Sequence, residues 1–361
     1  MTKITFLIGR FRSSGTEKVC VTLANSFIKR GIKVELVVLN LNDAVMDKEL
    51  NIDVKLINLN IKNARKSFFV IKKYIKENRP KKFLVFNFQL AMLLIIIRSI
   101  FNFNFEIISR NIITLSKRKE NTDSFWHGVV IDFFAKIIYK KVDKLIAQSH
   151  GMANDLIENY RFDPSKISII NNPINQDIEK YLKSNNQLTS LQKNNEILFI
   201  GRLESEKGLH YLLKAFSKLN NKDVILRLIG KGSLEHELKS LSISLALDGR
   251  VIFDGFKNDV IPYILNAKAI VLTSIYEGFP NVLVESIALG TPVVAFDCQS
   301  GPSEIIIDNL NGFLVKYLNI EDLTNKLDLA LKKEWNVDAI KESAKKYSSH
   351  EIINKYLDVV K

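Results

Sequence analysis

Four side chains could share one piece of chemistry: Glu277, Glu285, Arg202 and Lys207. The two glutamates are eight apart in Ile275-Tyr276-Glu277-Gly278-Phe279-Pro280-Asn281-Val282-Leu283-Val284-Glu285. A helix start lies between them, with Pro280 where a first-turn proline costs no hydrogen bond. The N–H groups of a helix start suit an anion such as a phosphate, and carboxylates suit hydroxyls. Phosphates at the helix and hydroxyls at the carboxylates describe a sugar nucleotide. Arg202 and Lys207 lie in Gly201-Arg202-Leu203-Glu204-Ser205-Glu206-Lys207-Gly208. A guanidinium and an ammonium at that spacing can grip one pyrophosphate. They can also neutralise the charge that grows on a departing nucleotide.

These residues need elements to hold them. The apolar run 269–274 predicts a strand entering the Glu277 loop, and 293–297 predicts a second strand after the helix. Gly290 ends that helix and Pro292 forbids its continuation. This is one βαβ unit, and open α/β sheets bind ligands at the carboxyl ends of their strands. Strand 196–200 delivers Arg202 and Lys207. Strand 224–229 leads into Gly230-Lys231-Gly232, and strand 251–256 follows.

The Glu277 to Glu285 stretch, with Gly290-Thr291-Pro292-Val293-Val294 behind it, resembles the E-x7-E motif of the retaining GT-B glycosyltransferases of family 4. The Gly201 to Gly208 stretch resembles that family's G-R-L-x-x-x-K-G motif. The resemblance implies an α/β fold of GT-B type, two Rossmann-like domains facing a central cleft. Residues 1–175 would be the acceptor domain, and 176–344 the nucleotide-sugar donor domain. The C-terminal helix within 345–361 would pack back on the first. Glu277 would hold the sugar hydroxyls and steady positive charge at the anomeric carbon, and Glu285 would bind the ribose. Gly278, Phe279, Pro280, Asn281, Val282 and Leu283 would line the donor. Gly230, Gly232 and Phe256 would flank the base, and Gly15 would approach the phosphates. Arg110, Asn111 and His150 are the acceptor-side candidates. The implied reaction takes a sugar from a nucleoside diphosphate, expected to be UDP, and needs no cofactor and no metal. Phrases such as Gly301-Pro302-Ser303-Glu304-Ile305-Ile306 resemble transferases that build bacterial surface polysaccharides on polyprenyl pyrophosphate. A UDP-sugar 2-epimerase of the same architecture would not need the Gly201 to Gly208 motif. A non-catalytic partner of another transferase would not need all four side chains.

The first half reads as a second, independent sheet. Strands are expected at 4–8, 33–39, 83–87, 105–109 and 143–147, with helices at 17–30, 90–97 and 152–160. Helix 90–97 is too short to span a bilayer. The opening lacks a G-x-G-x-x-G fingerprint, which argues against a nicotinamide or flavin dinucleotide. Residues 126–141 predict another helix containing His127, and 184–195 a surface loop. Charge is uneven: residues 1–185 carry a net +14 and 186–361 a net −1. The most basic run, Lys62 to Lys82, interleaves lysines with Phe68, Phe69, Ile71 and Tyr74 and suits an amphipathic helix with a basic face. An anionic membrane surface is the partner this implies. No recognition motif supports nucleic acid. Cys20 and Cys298 make no metal spacing and fit a reducing cytosol, and the N-terminus reads without a secretory leader. The expectation is a cytoplasmic protein, peripheral on the inner face of the plasma membrane.

Overall fold

The computed structural model describes residues 3–11, 15–42, 44, 46–61, 66–111, 114–116, 134, 136–185 and 193–361. Lys62, Arg65, His127, most of the expected helix 126–141 and residues 186–192 of the expected loop lie outside the described residues. The chain divides into two units, Met1–Asn175 with Ser349–Lys361, and Gln176–Ser348.

Unit 1 is a parallel sheet of β1 (Lys3–Arg10), β2 (Lys33–Asn40), β3 (Lys55–Asn58), β4 (Lys82–Val85), β5 (Glu106–Arg110), β6 (Lys144–Ala147) and β7 (Ile167–Ile169). Their spatial order is β3-β2-β1-β4-β5-β6-β7. The register sets Phe6 beside Leu36 on one flank and Leu84 on the other. Strands buried on both faces read as near-continuous apolar runs, and residues of β1 divide between the two cores. Leu7 packs on one face with helices α2 (Ser67–Asn78) and α3 (Phe88–Phe101). Ile4, Phe6 and Ile8 pack on the other with α1 (Gly15–Lys29). Helix α3 is longer than expected at both ends. Asn87 caps it by accepting from the Gln89 N–H at 2.7 Å, and Asn102 closes it at φ +50°. Helix α4 (His150–Tyr160) starts at His150 because Ser149 accepts from the Met152 N–H at 3.2 Å.

The last helix, α5 (Ser349–Val360), belongs to unit 1 through Ile352, Ile353, Tyr356 and Val360. Cations close its C-terminus, where the macrodipole favours them. Lys144 donates to the Val359 carbonyl at 2.7 Å and Lys82 donates to that of Val360. Both lysines also pair with Glu106, at 3.2 and 2.9 Å. Lys82 is therefore a strand residue with a spent charge, not the end of a basic helix face. The return to unit 1 starts at Ser349 rather than 345. Residues Lys345–Tyr347 form a single 3-10 turn of unit 2, with the Tyr347 ring 5.6 Å from that of Phe279.

Unit 2 repeats the plan with β8 (Glu196–Ile200), β9 (Ile225–Ile229), β10 (Val251–Gly255), β11 (Ala269–Leu272), β12 (Val293–Phe296) and β13 (Gly312–Val315). The order is β10-β9-β8-β11-β12-β13, all parallel. In both sheets the strand order reverses beside the first strand: between β1 and β4, and between β8 and β11. Such a switch point opens a crevice at the carboxyl ends of the two strands.

Candidate functional site

The switch point of unit 2 receives both motifs, because β8 runs into residues 201–208 and β11 into residues 273–278. The turn Ser205–Lys207 is stitched to the end of β11. Thr273 Oγ1 donates to the Lys207 carbonyl at 3.0 Å, and the Ile275 N–H donates to the Glu206 carbonyl at 2.8 Å. Gly208 makes this approach possible. It sits at φ +58°, and a Cβ there would lie 2.3 Å from the Thr273 carbonyl oxygen.

This stitching brings Lys207 Nζ to 2.6 Å from Glu277 Oε1. Ser274 Oγ, from a residue 1% exposed, donates to the same oxygen at 2.6 Å. The Lys207 and Glu277 side chains are 17% and 12% exposed, so the pair is shielded yet not sealed. Arg202 is 72% exposed and rests on the Glu206 carboxylate. Tyr317 donates to the Ile275 carbonyl at 3.0 Å, and Ser300 Oγ to that of Gly278 at 3.0 Å, fixing the loop from both sides. Burial, with the Glu206 charge, holds the Tyr276 phenol above its usual range. Burial also pushes the Cys298 thiol up to about 12, with the Glu277 charge adding to it. Cys298 is therefore a thiol, not a thiolate nucleophile.

Pro280 sits at the cap position of helix α6 (Asn281–Ala288), in extended backbone, and the helix begins at Asn281. The helix leaves Glu285 half-buried about one turn in. Phe279 and Leu283 are 6% and 0% exposed. Their side chains belong to the core, so only their backbone can face a ligand. Phe256 is 56% exposed just beyond β10 and offers an exposed aromatic ring.

Gly230 and Gly232 have a reason the sequence did not suggest. A Cβ on Gly230 would lie 1.8 Å from the Gly201 carbonyl oxygen, and one on Gly232 would lie 2.2 Å from that of Leu203. The two glycines let the turn after β9 close on the turn after β8, where the Leu203 N–H donates to the Lys231 carbonyl at 3.0 Å. Glu204 ties the same turns by accepting from the Ser233 N–H and hydroxyl at 2.9 and 2.6 Å.

The unit 1 candidates separate. Gly15 is the exposed first residue of α1, and His150 the exposed first residue of α4. Arg110 is 1% exposed. Its Nε donates to the Tyr356 hydroxyl at 2.9 Å and its other nitrogens include one on Asn172. Asn111 is equally buried; its N–H donates to the Ile146 carbonyl at 2.9 Å, and its carbonyl accepts from Gln148 at 2.7 Å. Arg110 and Asn111 thus join the core of unit 1 to α5 and β6 rather than facing solvent. Thr273, Ser274, Glu206, Ser300 and Tyr317 are site residues the sequence did not announce. Thr273 and Ser274 read only as the end of the strand run 269–274. Among the described residues, no three His, Cys, Asp or Glu side chains cluster as metal ligands do.

The family model for Glycosyltransferase Family 4 matches residues 13–178, and the one for Glycosyl transferases group 1 matches residues 181–347. An uncharacterized glycosyltransferase of Haemophilus influenzae is 30% identical over 92% of this chain and 91% of its own length. A Campylobacter jejuni N-acetylgalactosamine-N,N'-diacetylbacillosaminyl-diphospho-undecaprenol 4-alpha-N-acetylgalactosaminyltransferase is 32% identical over 61% of this chain; the match spans 59% of that relative. Among solved structures, Anabaena HepE in complex with UDP and glucose superposes with a TM-score of 0.76, at 18% identity, covering 99% of each chain.

Proposed function

The chain belongs to the family 4 glycosyltransferases, with the GT-B fold, and we propose that it transfers a sugar, with retention, from a UDP-sugar to a hydroxyl of a glycan carried on a polyprenyl diphosphate. The observation that carries this is the Lys207–Glu277 contact at the switch point of unit 2, where a cation and a carboxylate share one place. A relative named for a diphospho-undecaprenol acceptor supports the lipid diphosphate. A neighbour of the same fold that holds UDP and glucose supports the donor.

Arg202 and Lys207 meet the diphosphate, and the loop after Glu277 with the start of α6 offers backbone N–H groups to it. The bond from the anomeric carbon to the phosphate oxygen breaks, and its electron pair leaves on that oxygen. The acceptor hydroxyl bonds to the anomeric carbon on the same face, and its proton passes to the departing oxygen. Positive charge at the anomeric carbon is steadied by Glu277, which Ser274 and Lys207 hold in one orientation. Glu285 takes the ribose hydroxyls. No protein nucleophile and no metal enters this scheme, since the two cations balance the leaving group. His150 is the unit 1 candidate left facing solvent for the acceptor.

The protein works at an anionic membrane surface on the cytoplasmic side, through the basic exposed side of unit 1. Among the described residues, no helix is long and apolar enough to cross a membrane. The test incubates purified protein with radiolabelled UDP-sugars and a synthetic glycan on polyprenyl diphosphate, and reads the anomer of the product by NMR. Label in the lipid product with the donor's anomeric configuration is expected. An inverted product defeats the retaining path, and no labelled lipid from any donor defeats the function.

A further inference from the structure

Unit 1 has a switch point of its own, between β1 and β4, and a cavity of about 880 Å³ occupies it. That volume is at the upper end of small-molecule sites. The floor comes from the carboxyl ends of the strands, Ile8 on β1 and Phe86 just after β4. One wall is Leu90, Leu93 and Ile96 of α3, at the i, i+3 spacing of one helical stripe. At the polar end stand one cation, Arg10, and one carboxylate, Glu17, so the cavity carries no charge bias toward an anion.

Helix α3 explains the cavity's character. Its sequence FQLAMLLIIIRSIF is apolar nearly all round. One face, with Ala91, Leu94 and Ile95, is 0 to 1% exposed in the core of unit 1. The second apolar stripe borders that core, with Leu90 inside it and Leu93 packed against it, and Leu90, Leu93 and Ile96 also line the cavity. A helix apolar all round has apolar surroundings on every face. Phe134 lines the same cavity while 46% exposed, so the space is continuous with the protein surface. On α2, whose first residue Ser67 also lines the cavity, Phe69 is 69% exposed and Lys73 75% exposed.

We propose that this cavity takes the hydrocarbon chain of the lipid-linked acceptor next to its diphosphate. This rests on the lipid-diphosphate acceptor proposed above and adds that unit 1 itself reads the lipid, rather than leaving it in the bilayer. Binding strength should then depend on the chain, because every methylene buried in the cavity adds affinity.

The test measures binding of farnesyl diphosphate and of inorganic pyrophosphate to the full chain by calorimetry. Farnesyl diphosphate is expected to bind at least about tenfold tighter. Ile96→Glu, which puts a charge on the wall, and Leu93→Trp, which fills the volume, should each bring the two affinities together. Both should keep UDP affinity, since that ligand belongs to unit 2, and an unchanged melting curve for the whole chain reports that unit 1 also folds. Equal affinities in the unaltered protein overturn the proposal; a cavity closed by another part of this chain or by a second copy gives that result. A preference that survives both substitutions also overturns it. Sugar transfer is followed on the same samples. Transfer to lipid acceptor without chain-dependent binding defeats the cavity alone. Chain-dependent binding without transfer to any lipid diphosphate defeats the functional reading, and with it the cavity's assignment to an acceptor.

Discussion

Lys207 Nζ lies 2.6 Å from Glu277 Oε1 across 70 residues of sequence, and the contact exists because Gly208 lets one turn rest on the Thr273 carbonyl. Two adjacent parallel strands deliver the partners from opposite sides of a switch point. The cation is thereby placed before any substrate arrives, which is how electrostatic stabilisation avoids reorganisation during the reaction.

Removing one partner of a shielded pair leaves the other's charge uncompensated. Lys207→Met should therefore lower both Tm and donor affinity, the latter by about ten- to a hundredfold, the worth of one charge-assisted hydrogen bond. Adding Glu277→Gln should recover part of the lost Tm and none of the turnover. Arg202→Ala should weaken donor binding by a similar factor and leave Tm unchanged, because an exposed pair stabilises by only about 0–1 kcal/mol. Melting curves with donor titrations separate these. Unaltered KM and kcat in Arg202→Ala would take the guanidinium off the diphosphate.

The two glutamates should part company with UDP alone. Glu277→Gln keeps the shape of the loop and should lower turnover far more than UDP affinity, since its work is at the sugar. Glu285→Gln should weaken UDP binding itself, by roughly tenfold for one hydrogen bond to a charged group. Calorimetry with UDP decides; the opposite pattern reverses the two roles.

Much of this site was legible because parallel strands buried on both faces announce themselves as apolar runs. Strands β8, β11 and β12 stand within about two residues of their expected bounds, and their loops carry the motifs. Edge strand β3 was missed: Lys55–Asn58 has no buried residue to make a pattern. Arg110 misled for a different reason. A basic residue at a strand end reads as a ligand group, and its partner Tyr356 lies 246 residues away on a helix whose register no local pattern reveals. Gly230 and Gly232 read as flanking a base, and nothing in the sequence shows that this chain's own backbone packs against them. Phe279 and Leu283 lie inside a motif, yet a motif does not say which of its side chains turn inward.

Glu35 gives a pH signature away from the site. It is 1% exposed, with Lys55 at 2.8 Å, the Tyr74 hydroxyl at 2.6 Å and Lys3 at 3.1 Å. Burial opposes the charge, but Lys55, Tyr74 and Lys3 outweigh it and hold the carboxyl below its usual range. The unfolded chain, with a glutamate near pH 4.3, then binds more protons below that value, so stability falls as pH drops through the folded value. Glu35→Gln should cost about 1–3 kcal/mol at pH 7. Denaturant unfolding at pH 7 and pH 3.5 should show the gap between the two proteins closing on acidification. A gap that is constant or widens with acid would contradict the carboxylate's role.

The membrane prediction can be drawn more narrowly than the basic run suggests, because Lys82 is committed to Glu106 and α5. The exposed cations at the start of α2 and along it remain: Lys66, Lys73, which lies 3.9 Å from the exposed Glu77, and Lys76, with Lys72 lying 4.0 Å over the Phe101 ring. Phe69 and Ile100, 69% and 59% exposed, supply apolar contact beside them. Near an anionic leaflet each cation contributes about 1 kcal/mol, and the attraction fades within a Debye length of about 8–10 Å. Flotation with liposomes should therefore require anionic lipid and weaken in salt. Replacing Lys66, Lys72, Lys73 and Lys76 with Gln should release the protein while UDP affinity in unit 2 stays the same. Phe69→Ser should weaken flotation at every salt concentration, since it removes burial rather than charge. Lys82→Gln should lower Tm by loosening α5, and should leave lipid dependence as it is. Equal flotation on neutral and anionic vesicles, or on neither, would sink the electrostatic account and leave the +14 of the first half without a membrane role.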